Sequence, residues 1–543
     1  RLHGMRAAGG LLAWLAQYVA ARGAETVCLA GDVGCGAPGR APAAAPSPAP
    51  YSPFKGFDLN HSGWSPHAGP FDLSRPSWVF EEPDRGSKGR SGPVKAFHGS
   101  PMVDGELNVY IQSSTGWVYS VDRQGTLRWS ADTGDAQLSN LAVWDGLVYT
   151  MGQSGHVYAL DAATGRETWR SKVAKGGPSD THSPVVYGGR LLMACNPTVH
   201  FNDFGRSPDI MSEAVCAINA STGSVLWIYD MIDSSRGRQN LATNQMHAVV
   251  NDTAVFSDGF GGVYRVSIET GEEIWYQPNV TCVQEFYRTG GMVPYGTTAT
   301  MVVGPNDVIY SGFNLRAKVG ALRAHDLRTG AELWSRTFQD EVNAAPAVGL
   351  LRPGGSLAVV VAVGTNPMPV SVHQLLVFCM TVFILLTVWC FWLLCRRRTS
   401  WCTCRTGLKV SLAVAFVGGL VLVRIPSLTL PMLGSTVLAL DAGSGEVIWQ
   451  FNSSMLGLCA GNTWTEFCVP DLWGSPAIGA DGTVYVNWSG GKAFALRDAN
   501  GDGVVDREDP GEASSYHHGS GSNGITAIAP GLLVAPSCRY ILG

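Results

Sequence analysis

Charge is scarce in this chain. Asp, Glu, Lys and Arg together make up 15% of its 543 residues, against about 25% in ordinary soluble domains. Net charge is −5 and no arginine-rich stripe runs through the sequence. No basic face is therefore on offer to nucleic acid. Adjacent cysteines do not occur, nor does a nucleophile motif or a glycine-rich loop between strand and helix. Without that loop there is no cradle for a phosphate. These absences set aside nucleic-acid binding and nucleotide chemistry.

A repeat is what the chain does have. Asp161-Ala-Ala-Thr-Gly-Arg-Glu-Thr-Trp169 returns as Asn219 to Trp227, Ser267 to Trp275, Asp326 to Trp334 and Asp441 to Trp449, with a worn copy from Asp122 to Trp129. Each copy follows a short alternating run such as Val157-Tyr-Ala-Leu160, which reads as a strand with one buried face. Thr-Gly then makes a tight turn, since glycine accepts positive φ without a steric penalty. The Asp or Asn before it bonds turn amides with its side chain. The next strand delivers the Trp, a ring large enough to fill the space between neighbouring sheets. Repetition at this spacing marks a propeller or a solenoid.

The phrase resembles the tryptophan-docking motif, Ala-x-Asp-x-x-Thr-Gly-x-x-x-Trp, of the PQQ-repeat propellers, the quinoprotein-dehydrogenase-like superfamily. Ala159 to Trp169 and Ala324 to Trp334 match every fixed position, and Ala439 to Trp449 departs only by Ser444 for Thr. The resemblance covers most of residues 76–543 and implies an all-β propeller. Dehydrogenases of this superfamily hold pyrroloquinoline quinone on a tryptophan floor. They add a calcium ion bound by Glu, Asn and Asp, a catalytic Asp, and often adjacent cysteines beneath the cofactor. No positions here match those residues, so no catalytic and no quinone-binding residue is assigned. A bacterial outer-membrane assembly propeller is similar in repeat type, although neither Cys28 nor Cys35 follows a proper lipobox. The expected function is a non-catalytic binding or scaffold module that shows its blade loops to a protein or glycan ligand. The alternative is a quinone-dependent dehydrogenase oxidising alcohols or sugars outside the cytosol.

The repeat tryptophans stand at 129, 169, 227, 275, 334 and 449, with gaps of 40, 58, 48, 59 and 115. The last gap holds a foreign segment; removing residues 368–433 leaves 49, an ordinary blade period. A seventh unit runs from Gly474 through Thr483-Val-Tyr-Val to Leu496, its Thr-Gly turn replaced. Gly524 to Leu542 supplies three strands of an eighth, and Pro76 to Glu81 is a candidate for its outer strand. Closing a ring with strands from both termini removes free edges. Eight four-stranded blades are expected, with seven as the alternative.

Residues 1–30 read as a signal-like leader, because Met5 to Ala21 has a positive start, a short apolar core and small residues at its end. Residues 31–75 read as a Pro/Ala-rich linker. Six glycosylation sequons stand at Asn60, Asn219, Asn251, Asn279, Asn452 and Asn487, as in a lumenal glycoprotein. Cys195 and Cys216 are paired or buried free thiols, and Cys459 and Cys468 flank one loop.

Gln374 to Cys395 carries no charge and is long enough to span a hydrocarbon core of about 30 Å. Arg396-Arg-Arg398 follows, then a second apolar stretch from Val410 to Val423. Strands on both sides of the insertion belong to one blade, so the chain must cross twice or not at all. Two crossings predict a transmembrane hairpin within 368–433 that meets the membrane through 374–433. Its basic loop would be cytosolic and the propeller lumenal or extracellular. If 368–433 is a translated intron, the protein is instead secreted and soluble.

Asp498-Ala-Asn500-Gly-Asp502-Gly503-Val504-Val-Asp506-Arg-Glu-Asp509 fits a calcium loop. Oxygen ligands fall at positions 1, 3, 5, 9 and 12, the glycine turn at 6, and the Val504 carbonyl at 7. The loop resembles EF-hand and dockerin loops but has Asp509 where EF-hands place Glu, and it follows a strand. The metal set expected for Ca2+ is Asp498, Asn500, Asp502, Val504, Asp506 and Asp509, acting as a structural clip.

Overall fold

The computed structural model describes residues 48–83, 96–97, 99–136, 139–174, 182–195, 214–231, 246–279, 299–316, 318–366, 370–395, 432–456, 459–460, 472–522 and 524–543. The leader at 1–30 lies outside them. So do Cys468 and the second apolar stretch.

Thirty-two strands form eight antiparallel four-stranded sheets. Strand β1 (Val79–Glu81) stands apart in sequence. Blade 1 is β2–β5 (102–132), blade 2 β6–β9 (142–172), blade 3 β10–β13 (185–230), blade 4 β14–β17 (248–277), blade 5 β18–β21 (301–337) and blade 6 β22–β25 (347–456). Blade 7 is β26–β29 (477–517), and blade 8 joins β30–β32 (527–542) to β1 as its outer strand. Val79, Phe80 and Glu81 pair with Leu542, Ile541 and Tyr540. Each first strand contacts the first strand of its neighbour, as in the pairs β10 with β14 and β2 with β30, so the first strands line the axis. Eight blades close the ring through both ends of the chain.

The repeat phrase holds neighbouring blades together. Where the phrase begins with Asp, its carboxylate accepts from the Thr three residues on: Asp161 takes the Thr164 amide at 2.8 Å and its hydroxyl at 2.6 Å, and Asp326 does the same for Thr329. The following glycines, Gly165, Gly223, Gly271, Gly330 and Gly445, have φ between 72° and 76°. The tryptophan of the preceding blade lies on each of them. A Cβ on Gly165 would meet the Trp129 ring at 2.5 Å, and one on Gly445 the Trp334 ring at 2.9 Å. In four of these five pairs the indole N–H then donates to the carbonyl three residues before that glycine. Trp129 reaches Ala162 at 2.9 Å, Trp169 Ala220 at 3.1 Å, Trp227 Ile268 at 3.0 Å and Trp334 Ala442 at 3.1 Å. The motif's alanine sits directly across the strand pair from its own tryptophan, as Ala159 does from Trp169 and Ala324 from Trp334, with a bulge one residue on. A small residue there leaves room for the ring.

Trp78, outside the six repeats, performs the same docking at the seam. Its ring covers Gly125 and its indole donates to Arg123 at 3.0 Å. Beside it the buried Glu82 carboxylate accepts from Ser113, Thr115 and Tyr119 of blade 1 at 2.6, 2.6 and 3.0 Å.

Blade 6 carries the insertion between its second strand, β23 (Leu357–Gly364), and its third, β24 (Met432–Asp441). Among the described residues a helix, α1 (Val370–Cys395), emerges there. Among its residues 377–389, whose side chains are described, Phe378, Met380, Phe383, Ile384, Leu386 and Trp389 are all exposed. No helix among the described residues is long and apolar enough to cross a membrane. The transmembrane hairpin expected here is therefore not borne out in its described half, and its second apolar stretch lies outside the described residues. Its first part is one helix beginning at Val370, and its last residues, Met432 and Leu433, are strand, because they pair with Leu456 and Met455.

Candidate functional site

A segment of the chain itself runs around the inner edges of the ring. Residues 52–65, inside the stretch read as a linker, pass the blades in order and bond their inner edges. Val103 of blade 1 donates to Ser52 O at 3.0 Å and Val143 of blade 2 to Pro53 O at 2.9 Å. Lys55 N reaches Ser183 Oγ beside blade 3 at 3.4 Å. Val249, Val303, Val348 and Ile478 of blades 4 to 7 donate to the carbonyls of Leu59, Asn60, Ser62 and Gly63 at 2.8, 3.0, 2.6 and 2.7 Å. Ser65 Oγ reaches Ile528 O of blade 8 at 3.3 Å. One segment thus completes a full turn inside the ring. An inner strand leaves a row of unpaired amides toward the axis, and this hoop satisfies one or more in most blades. Sequence reasoning missed it, since backbone bonds leave no side-chain pattern.

Three histidines stand at the hoop. His61, His182 and His247 are each at most 1% exposed. One His61 nitrogen, Nδ1, contacts Lys55 O, and the other, Nε2, lies 3.2 Å from His247 O. The His182 and His247 rings meet edge-on with centroids 5.7 Å apart. Burial pushes His61 down to about 4, with nearby Lys55 adding to the shift. Burial, then the neighbouring His182 and His61, lowers His247 well below the ordinary imidazole value. Pro53, Phe54, Asp58, Leu59 and Asn60 of the hoop and Trp144 of blade 2 line a shallow depression of about 320 Å³. Trp144 is stacked on Phe54 there. Burial raises the Asp58 carboxyl, while the Ser62 hydroxyl and amide, at 2.6 and 2.9 Å, oppose the shift.

The expected calcium loop follows β28 (Lys492–Leu496) and folds as a chain of turns closed by its own side chains. Asp498 accepts from the amides of Gly501 at 2.7 Å and Gly503 at 3.2 Å. Asn500 Nδ2 donates to Asp502 at 3.3 Å and to Asp509 at 3.2 Å, so these three are brought together. Asp506 accepts from Glu508 N at 3.0 Å. Local desolvation and the nearby Glu512, Asp506 and Asp502 carboxylates raise Asp509. Among the described residues no group of three His, Cys, Asp or Glu side chains is placed to hold a metal ion. Glu512, absent from the expected set, is buried and accepts the amides of Ala499, Asn500 and Asp506 at 3.2, 3.1 and 3.0 Å. Val504 bridges to Gln450 on β25 (Val447–Leu456), with Gln450 N to Gly503 O at 3.0 Å and Val505 N to Gln450 O at 2.8 Å. The loop thereby ties blade 7 to blade 6.

The sequons separate by exposure. Asn251 and Asn452 are exposed and Asn219 is partly so. Asn279 and Asn487 are buried and bonded, Asn487 Nδ2 to Gly524 O and Thr526 Oγ1 at 3.1 Å each. Asn60 lies in the hoop. Cys195 and Cys216 form a disulfide across neighbouring strands of blade 3, with Cα atoms 5.9 Å apart.

Comparison with known proteins agrees with the repeat. Residues 114–282 match the family model PQQ_2, described as outer membrane protein assembly factor BamB. The outer membrane protein assembly factor BamB of Burkholderia pseudomallei (strain K96243) is 27% identical over 254 residues, 40% of this chain and 60% of that protein. Quinoprotein ethanol dehydrogenase of Pseudomonas putida is 30% identical over 168 residues, 28% of this chain and 26% of that protein. The chain therefore matches less than two thirds of either relative's length. Among solved structures, quinohemoprotein alcohol dehydrogenase ADHIIG from Pseudomonas putida HK5 superposes with a TM-score of 0.55 at 12% identity. The superposition covers 91% of this chain and 79% of that one, a likeness of fold. Residues 114–282 thus carry PQQ-type repeats, and docked tryptophans and eight closed blades make the described chain a β-propeller of the same fold.

Proposed function

We propose that this chain is a non-catalytic propeller that works outside the cytosol as a binding and scaffold module for a protein partner. The hoop carries this reading. The superfamily's dehydrogenases gather quinone, calcium and catalytic Asp around the central channel, and here residues 52–65 hold the inner blade edges at that place. The adjacent cysteines often found beneath the quinone are missing from the sequence as well, which supports a propeller without that cofactor. The match to an outer membrane assembly factor runs over 254 residues and supports a protein partner; nothing comparable supports a glycan. The blade 3 disulfide fits an oxidising compartment. Helix α1 is the proposed membrane contact. It has no charged residue, and a helix apolar on every side is covered by lipid or by protein. The loop at 498–509 is proposed to bind Ca2+ as a clip between blades.

The second reading, a quinone-dependent dehydrogenase, is favoured by the 30% identity to quinoprotein ethanol dehydrogenase. One experiment separates the two. The full chain is incubated with pyrroloquinoline quinone and Ca2+, desalted, and assayed by absorbance and by dye reduction with alcohols and sugars. We expect no retained quinone and no dye reduction. Stoichiometric quinone with alcohol-dependent reduction would replace the scaffold reading by the enzyme.

A further inference from the structure

We propose that the hoop is an acid-released plug: protonation of the buried cluster His61, His182 and His247 drives residues 52–65 off the inner blade edges and opens the axis of the ring.

The geometry comes first. All three rings are sealed from water. Both His61 nitrogens face backbone carbonyls, those of Lys55 and His247, yet a neutral imidazole has only one N–H to give. A second proton would satisfy the second carbonyl but would place a cation in a dry centre. The titratable groups around it are Lys55 and Asp58 on the hoop, His182 ahead of blade 3 and His247 ahead of blade 4. Asp58 is engaged with Ser62. Lys55 opposes a new positive charge on His61, and His182 and His61 oppose one on His247. The hoop is also held in conformations it would not choose alone. Phe57 and His61 have φ of 73° and 53°, left-handed values that side chains other than glycine adopt with strain. Release relaxes both and hydrates the imidazoles.

The sign follows from the shift. His61 has an ordinary value of 6.5 and stands at about 4 in the closed ring. A group lowered in the closed state favours closure fully above 6.5, and that preference is lost as pH falls toward 4. For His61 alone the open-to-closed ratio rises about 30-fold by pH 5 and about 300-fold well below pH 4. His247, lowered in the same direction, steepens the response.

The test is hydrogen exchange of the full chain at pH 7 and pH 5, read by mass spectrometry and corrected for the intrinsic pH dependence of amide exchange. Peptides covering 52–65 and the amides of Val143, Val249, Val303 and Val348 are expected to lose protection about 30-fold or more at pH 5, while the third and fourth strands keep theirs. His61→Gln, which cannot titrate, is expected to flatten the response; should it fail to fold, His247→Gln serves in its place. Equal protection at both pH values overturns the proposal. So does an unchanged slope in the variant, or loss of protection in every strand at once, which is global unfolding.

Discussion

A glycine in the repeat answers two demands, and they are separable at single residues. Gly165 has φ 72° and carries the Trp129 ring where its Cβ would be. Gly146 has φ 73° but nothing within 4 Å of that position. Gly146→Ala therefore tests backbone strain alone, about 1 kcal/mol. Gly165→Ala adds displacement of a buried indole and is expected to destabilise by about 2–4 kcal/mol. Chemical denaturation of the two variants measures the difference; equal losses would mean that docking contributes nothing. Blade 4 shows what a departure from the motif does. Arg265 replaces the alanine opposite Trp275, and its guanidinium takes the Leu327 carbonyl at 2.8 Å. That is the acceptor the docking pattern reserves for the indole, and Trp275 Nε1 is buried with no acceptor among the described residues.

At the scale of elements, the 498–512 loop stands where blade 7 lacks the Thr-Gly turn. It lies against β25, and Trp449, which precedes Gln450 there, is 2% exposed against 8% for Trp169. If calcium completes the loop, binding only to the folded state stabilises it by mass action, about 2.7 kcal/mol at a hundredfold excess over Kd. Millimolar Ca2+ is expected to raise Tm by a few degrees, and Asp498→Ala to remove the rise while leaving the calcium-free Tm within a degree or two. A Tm indifferent to Ca2+ and chelator would leave the loop a turn without metal. The docking turns were readable in the sequence because they demand particular side chains: Asp for the turn amides, glycine for φ, Trp for the gap. Glu512 was not, since its role is set by three amides that only folding brings to it. The hoop was hidden for the same reason. Its bonds are backbone bonds, and Pro53, Leu59 and Asn60 share no pattern that marks them as partners of successive blades.

For the whole molecule, closure and insertion make opposite claims on the chain. The N-terminal segment touches every blade: the hoop bonds the inner edges, and β1, Trp78 and Glu82 lock blade 8 to blade 1. Among the described residues, pairing in blade 6 does not depend on its insertion. Gly364 and Ser435 are already cross-strand partners, so the hairpin from β23 to β24 closes without anything between them. Short loops close hairpins of this kind readily. Replacing residues 368–431 by a four-residue Gly/Ser link is therefore expected to leave the β-sheet circular dichroism unchanged and Tm within about 3 °C of the full chain. The exposed side chains of Phe378, Phe383 and Trp389 go with the insertion. Binding of the intact chain to phosphatidylcholine vesicles in a flotation assay is expected to be lost in the deletion. Flotation that survives it would move the membrane contact elsewhere, and a collapse of Tm would make α1 part of blade 6 and not a graft upon it.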